Sequence, residues 1–313
     1  MIDIIILITG IIFLALGGDA LIRGAVAIAE RMAISPLVIG LTIVSLGTSA
    51  PELFISIDAA WLGLGGLAVG NVVGSNIANV LLVLGLPAIF ATTPCTGDNV
   101  QRSMIVMIGF MLLFMVMLYF SPLTWYHGAI LLGLLGFFLY EQYRSAQAGG
   151  ASILAEGDDH ESTHDPLWKS IAYLIFGAVV LPLGAHLTVA GAKEIAVALG
   201  LSDAVIGLTV VAIGTSLPEL AASLTAVLKG KPNVAIGNVV GSNIFNIAAI
   251  MGITTLIVPV TPGDHIVNFD MWIMLAVALL LYIISTYLGK IGFKTALAMV
   301  TGYLVYIAAA VLQ

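Results

Sequence analysis

The sequence predicts an all-α membrane protein with ten transmembrane helices arranged as two inverted five-helix repeats. Three observations predict this fold: the composition, the number of long apolar stretches, and an internal repeat. Of 313 residues, 60% are hydrophobic and only 9% are charged. So little polar surface excludes a water-soluble globular protein and indicates a chain that crosses a bilayer many times.

Ten apolar stretches are long enough to cross roughly 30 Å of hydrocarbon, and polar or proline-containing segments separate them. The first carries Asp3 where a signal peptide would have a cationic segment, so we interpret it as a retained helix. The predicted spans cover residues 3–30, 36–61, 67–90, 103–120, 123–143, 167–198, 203–228, 233–257, 269–288 and 293–312.

The basic residues are distributed unevenly between the two sides of this map. Lys193 lies alone on one side, and Arg23 lies within the first helix. The crowded side carries Arg31, Arg102, Arg144, Lys169, Lys229, Lys231, Lys290 and Lys294. Because short cytoplasmic loops are enriched in Lys and Arg, this side is predicted to be cytoplasmic. We therefore expect an integral protein of the cell (inner) membrane with both termini outside.

The two halves of the chain repeat each other at a constant offset of 167 residues. VIGLTIVSLGTSAPEL at 38–53 recurs as VIGLTVVAIGTSLPEL, and GNVVGSNIAN at 70–79 recurs as GNVVGSNIFN. Each repeat holds five spans, an odd number, so the second copy must enter the membrane inverted. Inverted repeats are typical of secondary transporters, whose substrate site lies between the repeats near the midplane. The predicted organisation is a first repeat at 1–144, a linker at 145–166, and a second repeat at 167–313. The segments 36–90 and 203–257 carry the repeated motifs and are the predicted ion motifs.

The linker at 145–166 is rich in Gly, Asp and Glu, a composition that cannot form a packed core. We interpret it as a solvated cytoplasmic connector. A regulatory metal site at His160 and His164, which lie among carboxylates, is the alternative.

A proline interrupts the second span and its counterpart in the other repeat. Pro51 and Pro218 have no amide hydrogen, so they leave the carbonyls of Gly47 and Gly214 without helical partners. Lipid cannot satisfy such groups, and broken backbone at this depth is tolerated only where it lines an enclosed cavity. Freed carbonyls carry negative partial charge, so each break predicts a surface that faces a cation.

Glu52 and Glu219 directly follow these prolines at mid-span, where a charge costs about 3 kcal/mol. Something must offset that cost. Helical spacing puts hydroxyls on the faces of both glutamates. These hydroxyls belong to Thr48, Ser49, Thr215 and Ser216.

The third and eighth spans add a second polar stripe at i, i+4 and i+8. It consists of Asn71, Ser75 and Asn79 in one repeat and of Asn238, Ser242 and Asn246 in the other. The glycine pairs Gly70/Gly74 and Gly237/Gly241 predict close helix packing beside it. These ligands are all hard oxygens, which suit Ca²⁺ or Na⁺ and suit zinc or copper poorly. Two carboxylates neutralise one divalent ion.

Three other polar residues have simpler interpretations. Asp19 and His186, equivalent positions of the repeat, are expected to cap or pair near helix ends, with a transport role as the alternative. Asp58 is interpreted as a solvated flank of the second span. A single cysteine, Cys95, excludes an intramolecular disulfide.

GTSAPE with GNVVGSN, followed by GTSLPE with GNVVGSN, resembles the two alpha-repeats of the sodium/calcium exchangers in the cation/Ca²⁺ antiporter superfamily. The resemblance covers essentially the whole chain. It implies ten helices with an inverted repeat, Na⁺-driven Ca²⁺ movement, and Ca²⁺ and Na⁺ as substrates. It also implies a set of ion ligands in this chain: Thr48, Ser49, Glu52, Thr215, Ser216, Glu219, the carbonyls of Ser45 and Ala212, and Ser75, Asn79, Ser242 and Asn246.

Three departures from family patterns narrow the expectation. K⁺-dependent members typically have an aspartate where this chain has Asn246, so K⁺ co-transport is not expected. Proton-coupled relatives usually carry an acidic residue shortly after the Gly-Asn pair, and GNVVGSN has none, which favours Na⁺ as the coupling ion. The linker is also too short for the calcium-sensing domain of animal exchangers.

Other functions remain open on the residues alone. A Ca²⁺/H⁺ or other divalent-cation antiporter would use the same scaffold, and a cation channel would use the same oxygens. An intramembrane hydrolase built on His186 and Asp19 lacks a nucleophile motif. We expect no enzyme activity, no cofactor and no nucleic-acid partner, and we expect the protein to act as a monomer in the lipid bilayer.

Overall fold

The computed structural model describes residues 2–32, 34–120, 122–153, 166–198 and 212–311, and these residues are almost entirely helical. The helices are α1 Ile2–Arg31, α2 Pro36–Thr48, α3 Ala50–Trp61, α4 Gly65–Phe90, α5 Asp98–Tyr119, α6 Trp125–Ile153, α7 Leu167–Ala198, α8 Ala212–Thr215, α9 Leu217–Leu228, α10 Pro232–Ile257, α11 Ile266–Leu288 and α12 Phe293–Val311. Two short strands, β1 Thr93–Pro94 and β2 Lys290–Ile291, pair antiparallel.

Seven described helices are long and apolar enough to cross a membrane, and the bent pair α2 and α3 counts as an eighth if it is one span. Helix α6, the predicted fifth span, falls outside this set because polar residues flank its apolar middle. The predicted seventh span begins at residue 203, and its first residues lie outside the described chain. The architecture is therefore that of a helical membrane protein.

Helices α4 and α10 form the centre of the molecule. Their apolar windows are 83% and 78% buried, against 33% for α1 and 28% for α7. Helix α10 packs closely on α2 because glycines face each other, as the sequence predicts for Gly237. A Cβ at Gly40 would lie 2.5 Å from the Val234 carbonyl oxygen, and one at Gly241 would lie 2.5 Å from that of Leu41.

The equivalent glycines of α4 have looser surroundings among the described residues. A Cβ at Gly70 would make an ordinary contact with the Ile266 side chain, and one at Gly74 would meet no described atom within 4 Å. The stretch that is equivalent to Gly40 in the second repeat lies outside the described residues.

Helices α1 and α7 pack against each other along their length. Gly10 lies against Gly184 and Gly24 lies against Ser170, so the two helices run antiparallel. A Cβ at Gly177 would lie 2.6 Å from the Leu21 amide nitrogen. Glycine recurs every seven residues on both contact faces, at Gly10, Gly17, Gly24, Gly177, Gly184 and Gly191.

Several helices contain wider π turns, which the sequence analysis does not anticipate. One covers Gly40–Val44 and ends directly before Ser45. Two others begin at Asn79 and at Asn246, which are equivalent positions of the repeat. In the first of these, the Leu84 amide donates to the Asn79 carbonyl at 3.2 Å. π turns inside α-helices occur frequently at functional sites.

The predicted linker at 145–166 begins as a helix. Helix α6 continues through Ile153, nine residues into the segment, because Ser-Ala-Gln-Ala continues a good helix-forming sequence. His160 and His164, the alternative metal site, lie outside the described residues.

Candidate cation site

The candidate site lies at two helix breaks. Each break is a single residue directly before a helix that carries a glutamate, Glu52 in α3 or Glu219 in α9. Ser49 separates α2 from α3 with φ −83° and ψ 8°, and the two helices meet at 47°. Ser216 separates α8 from α9 with nearly the same backbone angles, φ −85° and ψ 4°. Pro51 and Pro218 each occupy the first turn of the new helix, where a missing amide hydrogen costs nothing. The predicted breaks are confirmed at these positions.

Glu52 and Glu219 are buried at these breaks, with 1% and 0% of their surface exposed. Glu52 lies three residues after Ser49, about one helical turn away. The Ser49 hydroxyl donates to Glu219 Oε1 at 2.9 Å, so the break of the first half contacts the glutamate of the second. Like charges in an apolar interior are unfavourable, so this pair requires a neutralising partner.

Two asparagines hold the glutamate-bearing helices in equivalent ways. Asn71 Nδ2 donates to the Glu52 carbonyl at 3.1 Å and to Ser56 Oγ at 2.9 Å. Asn238 Nδ2 donates to the Glu219 carbonyl at 3.3 Å and to Ser223 Oγ at 3.0 Å. Sequence reasoning missed both serines, although each follows its glutamate by four residues in both copies of the repeat.

The predicted hydroxyl ligands differ in their surroundings. Thr48 Oγ1 donates to Asn238 Oδ1 at 3.2 Å and also lies 3.4 Å from the Ser45 carbonyl. That carbonyl accepts the Ser49 amide as well, at 3.0 Å. Thr215 is half-buried. Ala212 is the first residue of α8, three positions before Thr215.

A layer of four asparagines joins the central helices α4 and α10. Asn79 Nδ2 donates to Asn243 Oδ1 at 3.1 Å, and Asn246 Nδ2 donates to Asn76 Oδ1 at 3.0 Å. These two bonds occupy equivalent positions of the repeat. All four side chains are buried. Asn76 and Asn243 were not predicted, although GSN occurs in both copies of the motif.

Several buried side-chain atoms of the described residues have no hydrogen-bond partner, and all of them are oxygens. They are Glu52 Oε2, Glu219 Oε2, Asn79 Oδ1, Asn246 Oδ1, Ser216 Oγ, Ser242 Oγ and Thr254 Oγ1. All except the Thr254 hydroxyl belong to predicted ligands. Buried polar atoms in folded proteins are nearly always paired. Carboxylate and amide oxygens without donors are a suitable environment for a hard cation.

The described part of the chain contains no second cluster of side chains that could bind a metal ion. No group of three or more His, Cys, Asp and Glu side chains occurs there that would hold a metal ion. Cys95 lies in the loop between α4 and α5, where burial raises the pKa of its thiol to about 11. It is therefore protonated at neutral pH and unsuited to bind a metal as a thiolate.

Asp19 and His186 lie outside this cluster. Asp19 is 55% exposed and forms an ion pair with Lys229 at the end of α9. His186 is exposed on α7, and α7 meets α1 there near Gly10, about 13 Å along the helix from Asp19. The pairing predicted for Asp19 is confirmed, and the structure does not bring the two side chains together.

The sequence also matches known proteins over most of its length. The profile of the family described as "Sodium/calcium exchanger protein" matches residues 2–144 and again 169–312. The chain belongs to the sodium/calcium exchanger family. The sodium/calcium exchanger MaX1 of Methanosarcina acetivorans is 32% identical, covering 91% of this chain and 92% of that protein. The inner membrane protein YrbG of Escherichia coli is 34% identical, covering 83% and 80%.

A solved structure has the same fold as the chain described here. It is the sodium-calcium exchanger NCX_Mj soaked with 2.5 mM Na⁺ and 0.1 mM Ca²⁺, with a TM-score of 0.83 and 33% sequence identity. The match covers 98% of both chains. The chain is thus an integral membrane protein of exchanger fold.

Proposed function

We propose that this protein is a secondary active antiporter that exchanges Na⁺ for Ca²⁺ across the membrane. One observation carries the proposal: the two buried carboxylates are accompanied by amide and hydroxyl oxygens that have no hydrogen-bond partner in the described part of the chain. A site with acceptors in excess of donors is stabilised by cations and disfavours anions. The exchanger names of MaX1 and NCX_Mj support Na⁺ and Ca²⁺ as the two ions.

The proposed ligands are the residues implied by the two motifs, and the contacts at each glutamate support this assignment. Glu52 and Glu219 supply two negative charges, which balance one Ca²⁺. Na⁺ ions would occupy the same oxygens in smaller groups. The remaining ligands are Thr48, Ser49, Thr215, Ser216, Ser75, Ser242, Asn79, Asn246 and the carbonyls of Ser45 and Ala212.

We propose the ten-helix, two-repeat architecture as the frame of this site. The two separate matches of the family profile support repeats at 1–144 and 167–313 joined by the linker at 145–166. The antiparallel packing of α1 and α7, equivalent segments of the repeat, supports inversion. By the distribution of Lys and Arg, both termini face out, and the name of YrbG supports the inner membrane. We propose that one chain suffices for transport.

The mechanism follows from the cost of an empty site. Two carboxylates without a cation are unfavourable in low dielectric, so the empty protein should resist the change between inward-facing and outward-facing states. Occupation by Ca²⁺ or by several Na⁺ removes that cost and permits the change. This requirement makes transport an exchange, in which α1 and α7 would slide across the remaining helices to open one side at a time.

The test is ⁴⁵Ca²⁺ uptake into proteoliposomes with Na⁺, H⁺ and K⁺ gradients imposed separately. We expect uptake that depends on internal Na⁺ and is unchanged by K⁺, because position 246 is Asn and adds no third carboxylate. Three Na⁺ for one Ca²⁺ would also make uptake respond to membrane potential. Uptake driven by a pH gradient without Na⁺ would instead identify a Ca²⁺/H⁺ antiporter. Flux that needs no counter-ion and does not saturate would identify a channel.

A further inference from the structure

The two asparagines of the proposed ligand set present a problem of orientation. An amide side chain carries an acceptor oxygen and a donor NH₂ group of similar size. Only the oxygen is a ligand for a cation. A half-turn of the side chain of Asn79 or Asn246 would direct the NH₂ group toward the ion and repel it.

The structure holds both amides in the productive orientation through the other half of the molecule. The Asn79 NH₂ group donates to Asn243 Oδ1, and the Asn246 NH₂ group donates to Asn76 Oδ1. The oxygens of Asn79 and Asn246 consequently have no partners among the described residues. They lie on the same helical faces as Asn71 and Asn238, which contact the glutamate-bearing helices.

The orientation of Asn76 and Asn243 is in turn fixed by two methionines and, for Asn76, also by the backbone carbonyl of Asn243. Asn243 Nδ2 lies 3.3 Å from Met107 Sδ, and Asn76 Nδ2 lies 3.6 Å from Met274 Sδ and 3.4 Å from the Asn243 carbonyl. A thioether accepts a hydrogen bond weakly and cannot donate one. Each methionine therefore faces an NH₂ group, and the Oδ1 of Asn76 or Asn243 is turned toward Asn246 or Asn79.

We propose that Asn76 and Asn243 are positioning residues that turn the oxygens of Asn79 and Asn246 toward the transported cation. This inference rests on the proposed function and deepens it. Neither residue is a ligand in this scheme, since Asn76 Oδ1 and Asn243 Oδ1 are both occupied. Met107 and Met274, fully buried at 0% exposure, complete each chain of contacts as acceptors.

A purely structural role for Asn243 would alter stability, whereas a positioning role acts through Asn79. The test is therefore a double-mutant cycle in Ca²⁺ affinity, measured by ⁴⁵Ca²⁺ binding to the purified full-length protein. We expect Asn243→Ala to weaken Ca²⁺ binding about tenfold, which corresponds to about 1.4 kcal/mol. Because Asn243 acts through Asn79, Asn79→Ala with Asn243→Ala should bind no more weakly than Asn79→Ala alone.

The matched control is the pair Ser216→Ala with Asn243→Ala, because Ser216 lies directly before α9 and its hydroxyl has no hydrogen-bond partner among the described residues. Here the two losses of affinity should multiply. If the losses also multiply for Asn79 and Asn243, or if Asn243→Ala lowers only the melting temperature, the positioning role is wrong.

Met107→Leu provides a second variant in case Asn243→Ala does not fold. It keeps an apolar side chain of similar volume but removes the acceptor for the Asn243 NH₂ group. We expect weaker Ca²⁺ binding, and this loss should disappear in an Asn79→Ala background. Unchanged Ca²⁺ affinity in Met107→Leu would show that the methionines do not orient the amides.

The same assay separates this inference from the proposed function. If the unmodified protein binds no Ca²⁺, or if Glu52→Gln binds it equally well, the proposed function fails and the inference fails with it. If the unmodified protein binds Ca²⁺ and Glu52→Gln does not, a failed cycle overturns the positioning role alone.

Discussion

The hydroxyl of Ser49 donates to Glu219 Oε1 at 2.9 Å and joins the helix break of the first half to the carboxylate of the second. The equivalent hydroxyl, that of Ser216, has no hydrogen-bond partner among the described residues. Two serines with the same place in the repeat therefore have different surroundings, and this difference can be tested.

Ser49→Ala should destabilise the cation-free protein, whereas Ser216→Ala should not. The first variant removes a hydrogen bond to a buried carboxyl, a loss of about 1.5–3 kcal/mol if the group is charged. The second removes a hydroxyl that makes no bond to any described residue. Thermal unfolding in buffer free of Na⁺ and Ca²⁺ measures both. Equal melting temperatures of the two variants would show that the hydrogen bond from Ser49 to Glu219 does not contribute to stability.

Glu52→Gln and Glu219→Gln should each reduce Na⁺-dependent Ca²⁺ uptake by roughly 100-fold. Removing one charge leaves a divalent ion half neutralised, and losing one partner of a buried charged contact costs about 2–5 kcal/mol. Asp58→Asn is the matched control, because it makes the same charge change on the same helix at an exposed position. Uptake by this control should be unchanged, and an equal loss there would contradict the assignment of the two glutamates.

Asn238→Leu should destabilise the protein and impair uptake together. The substitution removes the donor for the Glu219 carbonyl and for Ser223 Oγ, and it also removes the acceptor for Thr48. Each buried polar group left unpaired costs about 1–3 kcal/mol. Asn233→Leu, the same change at an exposed position of α10, is the control. Similar melting temperatures for the two variants would show that these hydrogen bonds contribute little.

Gly177→Ala should disturb the packing of α1 on α7. The added methyl would lie 2.6 Å from the Leu21 amide nitrogen and 2.7 Å from the Gly17 carbonyl oxygen, so the helices must separate. We expect a loss of about 1–3 kcal/mol in stability. Gly133→Ala in α6 would meet no described atom within 4 Å and should gain up to about 1 kcal/mol from helix propensity. Melting temperatures of the two variants test the contrast.

Much of the site is predictable because its chemistry is local and duplicated. Proline directly before glutamate, with hydroxyls three and four residues earlier, identifies a broken helix whatever its partner. The copy 167 residues later shows that the pattern is no accident of an apolar composition. The same offset also relates Ser56 to Ser223 and Asn76 to Asn243. Their identity in both copies is a signal from which their part in the site is predictable.

By itself, the sequence determined the helical membrane class, the duplicated motifs and the two helix breaks, and it predicted the candidate oxygen ligands. Each of these depends on hydropathy, on spacing along one helix, or on the missing amide hydrogen of proline. Only the tertiary structure decided that Ser49 bonds Glu219, that Asn79 bonds Asn243 and that Asn246 bonds Asn76. These partners are more than 160 residues apart, so their pairing and the direction of each amide depend on how α4 and α10 pack, which no local pattern contains.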